Sequence, residues 1–116
     1  MHDNKEAERV TTTLLERVRD RLREAGIVAT DREFCEAWLG KSECYVRGLR
    51  FNHLPPSADA LANCASRLAW AARELREHNT ARHRQWAQVL DELRVDCYAA
   101  MDQQAQSKWQ RKGVSA

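Results

Sequence analysis

Apolar residues recur along most of the chain three or four positions apart, the spacing that puts them on one side of a helix. Val10, Leu14, Val18, Leu22 and Ala25 trace the first such face, with Leu15 beside Leu14. Thr13 and Glu16 fit a capping box at its start, and the helix can also begin earlier, near Asn4. Gly26 supplies a stop, because glycine tolerates the left-handed conformation that ends helices. Thr30 and Glu33 make a second T-x-x-E box, opening a short helix whose apolar face is Phe34, Ala37, Trp38 and Leu39 and whose stop is Gly40. Ser42 is placed to cap a third helix over residues 43–50, with Val46 and Leu49 turned inward and Tyr45 on their flank. Pro55 and Pro56 then take the chain out of the helix, since each disfavours helix in the residue before it.

Ser57 caps a fourth helix with Leu61, Cys64, Ala65, Leu68, Ala72 and Leu75 as its face. Neither Gly nor Pro occurs over residues 57–112, and one unbroken helix of that length would measure ~84 Å at ~1.5 Å per residue. The apolar face lapses over residues 76–80, which places a break or bend there. The pattern leaves open whether one bent rod or a hairpin results. A last helix carries Trp86, Leu90, Leu93, Cys97 and Met101, with Val89 and Ala100 alongside, and residues 111–116 read as a fraying tail. The expectation is an all-α chain, a five-helix bundle with a helix-turn-helix and a long C-terminal helix. Residues 1–78 form the first domain and residues 79–116 a dimerisation or packing element.

Composition narrows the function classes. Charged residues make up 31% and hydrophobic ones 43%, a balance too apolar for wholesale disorder, and 116 residues suffice for one core. No apolar run approaches the ~20 residues of a membrane span, and the N-terminus is too polar for a secretory signal, so a cytoplasmic protein is expected. Cys35, Cys44, Cys64 and Cys97 form no C-x-x-C pair and read as partly buried, reduced thiols. A metal site mixing them with His53 or His83 has no positive support, and no cofactor is expected. The net charge is only +2. Residues 1–33 carry net −1, 34–57 net +1, 58–84 net +2, and 85–116 balance, so any phosphate contact involves few side chains and a moderate salt dependence.

Residues 30–57 place two short helices around a turn with Gly at its sharp point, the helix-turn-helix arrangement. From Gly40 onward the chain resembles the lambda-repressor-like (Cro/repressor-type) DNA-binding domains. In that family a Gly-x-Ser turn opens the recognition helix, an apolar residue follows four positions after the Ser, and a Pro-Ser pair begins the next helix. Gly40, Ser42, Val46, Pro56 and Ser57 stand at that spacing without a gap, and the resemblance covers roughly residues 14–75. Where the family carries a small residue four before the turn Gly and a buried aliphatic after it, this chain has Glu36 and Lys41. The small Cys35 and Ala37 suggest a second helix rotated or shifted by one residue. The frame W-L-G-x-S-x-x-Y-x-x-x-L-R…P-S is also similar to that of a group of short, uncharacterised bacterial proteins.

With Val46 and Leu49 inward, the outer face of the third helix presents Cys44, Arg47 and Gly48, with Glu43 and Arg50 at one edge. A recognition helix enters the major groove with its N-terminal residues and outer face, so Arg47 can pair with a guanine edge and Gly48 lets the backbone come close. Lys41, Arg50 and His53, with Arg32 at the start of the second helix, are placed for phosphates. The candidate DNA-binding set is therefore Arg32, Lys41, Ser42, Glu43, Cys44, Arg47, Arg50 and His53. The plainer reading makes these solvated charges on a short surface helix, and Glu43 favours it by repelling phosphate unless it reads a cytosine.

The run from Arg73 to Arg84 holds four Arg and two His and reads either as a helix junction with partners such as Arg73–Glu77 or as a second phosphate patch. Trp38 belongs to the core of the second helix, while Trp70 lies off the fourth helix's stripe, free to pack against another element. The last stripe, Trp86, Leu90, Leu93, Cys97 and Met101, can pack back on the bundle or meet its copy in a homodimer. A two-fold dimer would set two recognition helices about one DNA turn apart. No nucleophile–base pairing, phosphate loop or H-E-x-x-H pattern appears, and Asp91, Glu92 and Asp96 read as a solvated face, so the chain is not expected to be an enzyme. Two functions follow: a small regulator binding double-stranded DNA, or an adaptor or antiactivator that keeps the fold and binds a partner protein through its Trp-bearing C-terminal helix.

Overall fold

The computed structural model describes residues 14–111. Val10, Thr13 with its capping box, the earlier start near Asn4 and the tail beyond Arg111 lie outside the described residues. Within them the chain is all-α, with five helices and no strand. It divides into two compact units between Asn63 and Cys64.

The first unit holds α1 (residues 14–24), α2 (residues 31–38), α3 (Tyr45–Asn52) and the opening turns of α4 (Ala58–Glu77). Gly26 ends α1 at φ 77°, with the paired bonds of a Schellman close: its own N–H reaches Arg23 O at 3.0 Å and the Ile27 N–H reaches Leu22 O at 2.9 Å. Thr30 caps α2 as its sequence requires, its Oγ1 accepting the Glu33 N–H at 3.1 Å. The Glu33 carboxylate reaches back one residue further than the usual box, to the Ala29 N–H at 2.9 Å.

The α2 segment begins as one α-helical turn over Asp31–Glu33 and widens into a π-helix over Phe34–Trp38. Residues four apart stay on one side of such a helix, as they do on an α-helix. Phe34 and Trp38, and Cys35 and Leu39, therefore share the buried face, while Glu36 and Ala37 are exposed. This corrects the expected face, which counted Ala37 inside and omitted Cys35. The widened spacing carries through the stop: at Gly40 (φ 68°) the closing bond runs from the Lys41 N–H to Cys35 O at 2.9 Å. A Cβ at Gly40 would lie 2.9 Å from Asn63 Nδ2, whose amide donates to Leu39 O at 3.0 Å. Here glycine provides both the left-handed backbone and the room for α4's amide.

The third helix starts later than expected. Residues 43 and 44 form a turn in which the Tyr45 N–H bonds the Ser42 carbonyl at 3.0 Å, and Cys44, not the Ser42 hydroxyl, stands at the N-cap. Val46 and Leu49 are buried as their spacing requires. The helix continues past Arg50 to Asn52 and closes on His53, a non-glycine residue at φ 54°. Ser57 caps α4 through its hydroxyl, which accepts the Ala60 N–H at 3.1 Å. The Tyr45 hydroxyl holds this cap to α3, accepting the Ser57 N–H at 2.9 Å and donating to the Ser57 hydroxyl at 3.2 Å.

In the second unit the rest of α4 and α5 (Ala81–Arg111) form an antiparallel hairpin, which decides the question the periodicity left open. Arg76 meets Asp91 at 2.5 Å, and further along the pair the Cys64 thiol hydrogen-bonds Cys97. That bond, with burial behind it, pushes the Cys64 thiol well up from its ordinary value. The chain turns at Asn79 (φ 55°), and Thr80 caps α5 by accepting the His83 N–H at 3.1 Å. The Arg-rich run is thus a helix junction, with His78 and His83 stacked at 4.6 Å and Arg84 bonded to Asn79 at 2.8 Å.

Leu90, Leu93 and Cys97 are buried within the single chain, and Trp86 and Met101 are half-buried. Three of the five residues of this stripe are therefore covered inside the chain itself. Trp70, off the α4 stripe, is half exposed, with the Arg67 guanidinium 5.6 Å over its ring.

Candidate functional site

Four of the candidate DNA-binding residues converge. Arg32, Glu43, Arg47 and Arg50 border a pocket of about 350 Å³, together with Glu16 and Arg19 of α1 and with Asp31, Cys35 and Val46. Three elements build it. The α1 face supplies a wall, the first turn of α2 places Arg32, and α3 carries Arg47 and Arg50 one turn apart. Arg50 is anchored to Glu16 at 3.0 Å, and Arg32 is paired with Glu36 at 3.4 Å. Asp31 is held by Arg23 at 3.4 Å and Arg19 at 3.7 Å.

Arg47 differs from its neighbours. Its Nη2 donates to the Cys44 sulfur at 3.0 Å, and this hydrogen bond pushes its pKa up from the ordinary value. A thiol is a weak acceptor compared with a carboxylate. The fork of donors on Arg47 thus has more to gain from a new partner than those of Arg32 or Arg50.

Lys41, Ser42 and His53 lie elsewhere. Lys41 is paired with Asp59 of α4 at 3.0 Å, and its ammonium lies 5.6 Å over the Tyr45 ring. Ser42 is exposed in the turn, and His53 closes the far end of α3. Among the described residues no three His, Cys, Asp or Glu side chains converge as a metal ion requires.

Phe51 was not read from the sequence. It belongs to the same outer face as Cys44, Arg47 and Gly48, and it is 83% exposed. Its projection at 100° per residue places it there once the helix runs past Arg50, where the sequence pattern ends it. Gly48 lies mid-helix, and a Cβ there would meet nothing within 4 Å. The outer face of α3 is thus a strip of thiol, guanidinium, bare backbone and phenyl.

A family model matches residues 15–110, most of the chain, under the description "Family of unknown function (DUF6626)". The chain belongs to this family. The match takes in α2, α3 and the hairpin alike, so the strip on α3 lies inside the region that defines DUF6626. No curated protein and no solved structure matches the chain.

Cys44 gives chemical access to the strip. It is exposed, whereas Cys35, Cys64 and Cys97 are buried. Brief iodoacetamide treatment of the folded protein should add one carbamidomethyl group, at Cys44, and the denatured protein should take four; intact-mass and peptide mass spectrometry count them. Two or more rapid additions to the folded chain would contradict the burial of the other thiols.

Proposed function

We propose that this chain is a small DNA-binding regulator in which α2, the Gly40 turn and α3 act as a helix-turn-helix, with α3 entering the major groove. The observation that carries the reading is the outer face of α3. It combines an arginine bonded only weakly through Cys44, a glycine with open space above it, and flanking guanidinium groups of Arg32 and Arg50. An arginine in this position reads the O6 and N7 of guanine, and the glycine admits the edge of a base or sugar to the backbone. The flanking arginines supply phosphate contacts that set register. With few such contacts, affinity falls between low and physiological salt, but less steeply than for a strongly basic domain.

One observation favours a second reading, an adaptor that binds a partner protein. Along α5, Val95, Tyr98 and Trp109 are exposed at spacings of three and eleven residues, one side of a helix apart from the buried stripe. Exposed apolar residues that share a side suit a protein surface better than a phosphate backbone.

Fluorescence anisotropy of a labelled mixed-sequence duplex, titrated at about 50 and 200 mM salt, distinguishes the two readings. The DNA reading expects salt-sensitive binding. Arg47→Ala should weaken it about tenfold or more, as loss of a bidentate contact worth about 1–3 kcal/mol requires. The melting temperature should not move, because Arg47 is exposed. No binding at the lower salt would overturn the reading and favour the adaptor.

A further inference from the structure

We infer that Phe51 and Arg47 form a two-residue reading head on α3 that selects a guanine and a thymine one or two base steps apart. The inference rests on the DNA reading above and adds what that reading lacks, a determinant of sequence.

Among the described residues Phe51 is the most exposed of the large apolar side chains, at 83%, although it sits in the last turn of a well-formed helix whose inner residues Val46 and Leu49 are buried. A phenyl ring left in water on a strip that also carries a guanidinium is placed for a partner with both apolar and polar features. The major-groove edge has both: guanine offers two acceptors, and thymine offers a 5-methyl group to apolar side chains such as Phe.

Spacing sets the register. Arg47 and Phe51 are four residues apart, so their Cβ atoms lie about 5–6 Å from one another on the same side of the helix. Successive bases on a strand are about 3.4 Å apart along the axis, which puts the two contacts one or two steps apart. Gly48 lies between them and bears no side chain to hold the strand off. Asn52 is not available as a third reader on this face, because its amide donates to the Gly48 carbonyl at 2.9 Å.

The test is a selection with the full-length protein from a random-sequence duplex pool. The enriched duplex is then resynthesised with deoxyuridine for thymidine, which removes only the methyl group. Wild type should enrich a site holding G and T within two steps, and should lose about five- to tenfold in affinity for the uracil form. Phe51→Ala should bind the thymine and uracil forms equally while melting at the wild-type temperature. Equal wild-type affinity for the two forms, or binding without enrichment of any sequence, would overturn the role of Phe51 and leave DNA binding standing. No binding to any pool member would remove the DNA reading itself.

Discussion

Cys35→Lys is expected to destabilise the protein by about 3–5 kcal/mol, the cost of an uncompensated charge placed in a core. Ala37→Lys should stay within about ±0.5 kcal/mol. The two residues are both small, sit two positions apart in one short helix, and are exchanged in an ordinary reading of the sequence. Cys35 is 1% exposed and Ala37 is exposed. A lysine at position 35 would extend its ammonium toward the pocket that Cys35 borders, where Arg19, Arg32, Arg47 and Arg50 face Glu16, Asp31 and Glu43. Four guanidinium groups against three carboxylates leave no net counter-charge for it there. Against a total stability of about 5–15 kcal/mol typical of a domain, such a loss leaves a strongly weakened fold. Urea denaturation followed by circular dichroism measures both variants. A neutral Cys35→Lys paired with a damaging Ala37→Lys would show that the buried face of α2 has been assigned to the wrong residues.

Gly48→Ala should raise stability and lower DNA affinity, two effects of opposite sign from one methyl group. Glycine within a helix costs about 0.5–1 kcal/mol relative to alanine, and Gly48 has neither a positive φ nor a neighbour within 4 Å of an added Cβ. Nothing in the fold requires glycine at this position. If the bare backbone is there to approach a base edge, the added methyl should weaken binding about tenfold, close to 1.4 kcal/mol, while the protein melts at a higher temperature. Thermal melts and anisotropy on one preparation measure both. A variant that is more stable and binds DNA unchanged would mean that the outer face of α3 does not approach DNA at Gly48.

The elements that the sequence located were those marked by short-range chemistry. Thr30 and Ser57 cap helices through their hydroxyls, Gly26 and Gly40 take the left-handed conformation, and the charged run at residues 76–80 breaks the last long stretch. Each of these signals needs only neighbours within about five residues. On α2 the expected face holds Ala37 in place of Cys35, although Cys35 and Leu39, four residues apart, share one side of the helix. The start of α3 was missed because the Ser42 carbonyl, not its hydroxyl, meets Tyr45.

The hairpin was not legible for a different reason. The apolar residues of α5 cover two stripes, one with Leu90, Leu93 and Cys97 and one with Val95, Tyr98 and Trp109, and periodicity does not say which is covered. At the candidate site, Arg32, Glu43, Arg47 and Arg50 were read from the outer faces of two helices. Glu16 and Arg19 on the far wall come from α1, brought there by tertiary packing that no local pattern records.

The most direct test of DNA recognition by α3 is an amide chemical-shift titration of the ¹⁵N-labelled protein with the mixed-sequence duplex at low salt. The account predicts shifts concentrated at Cys44, Arg47, Gly48 and Phe51 and at Arg32 in α2, with Val95, Tyr98 and Trp109 of α5 unmoved. A spectrum that the duplex leaves unchanged, or one in which the α5 residues move and those of α3 do not, would contradict it.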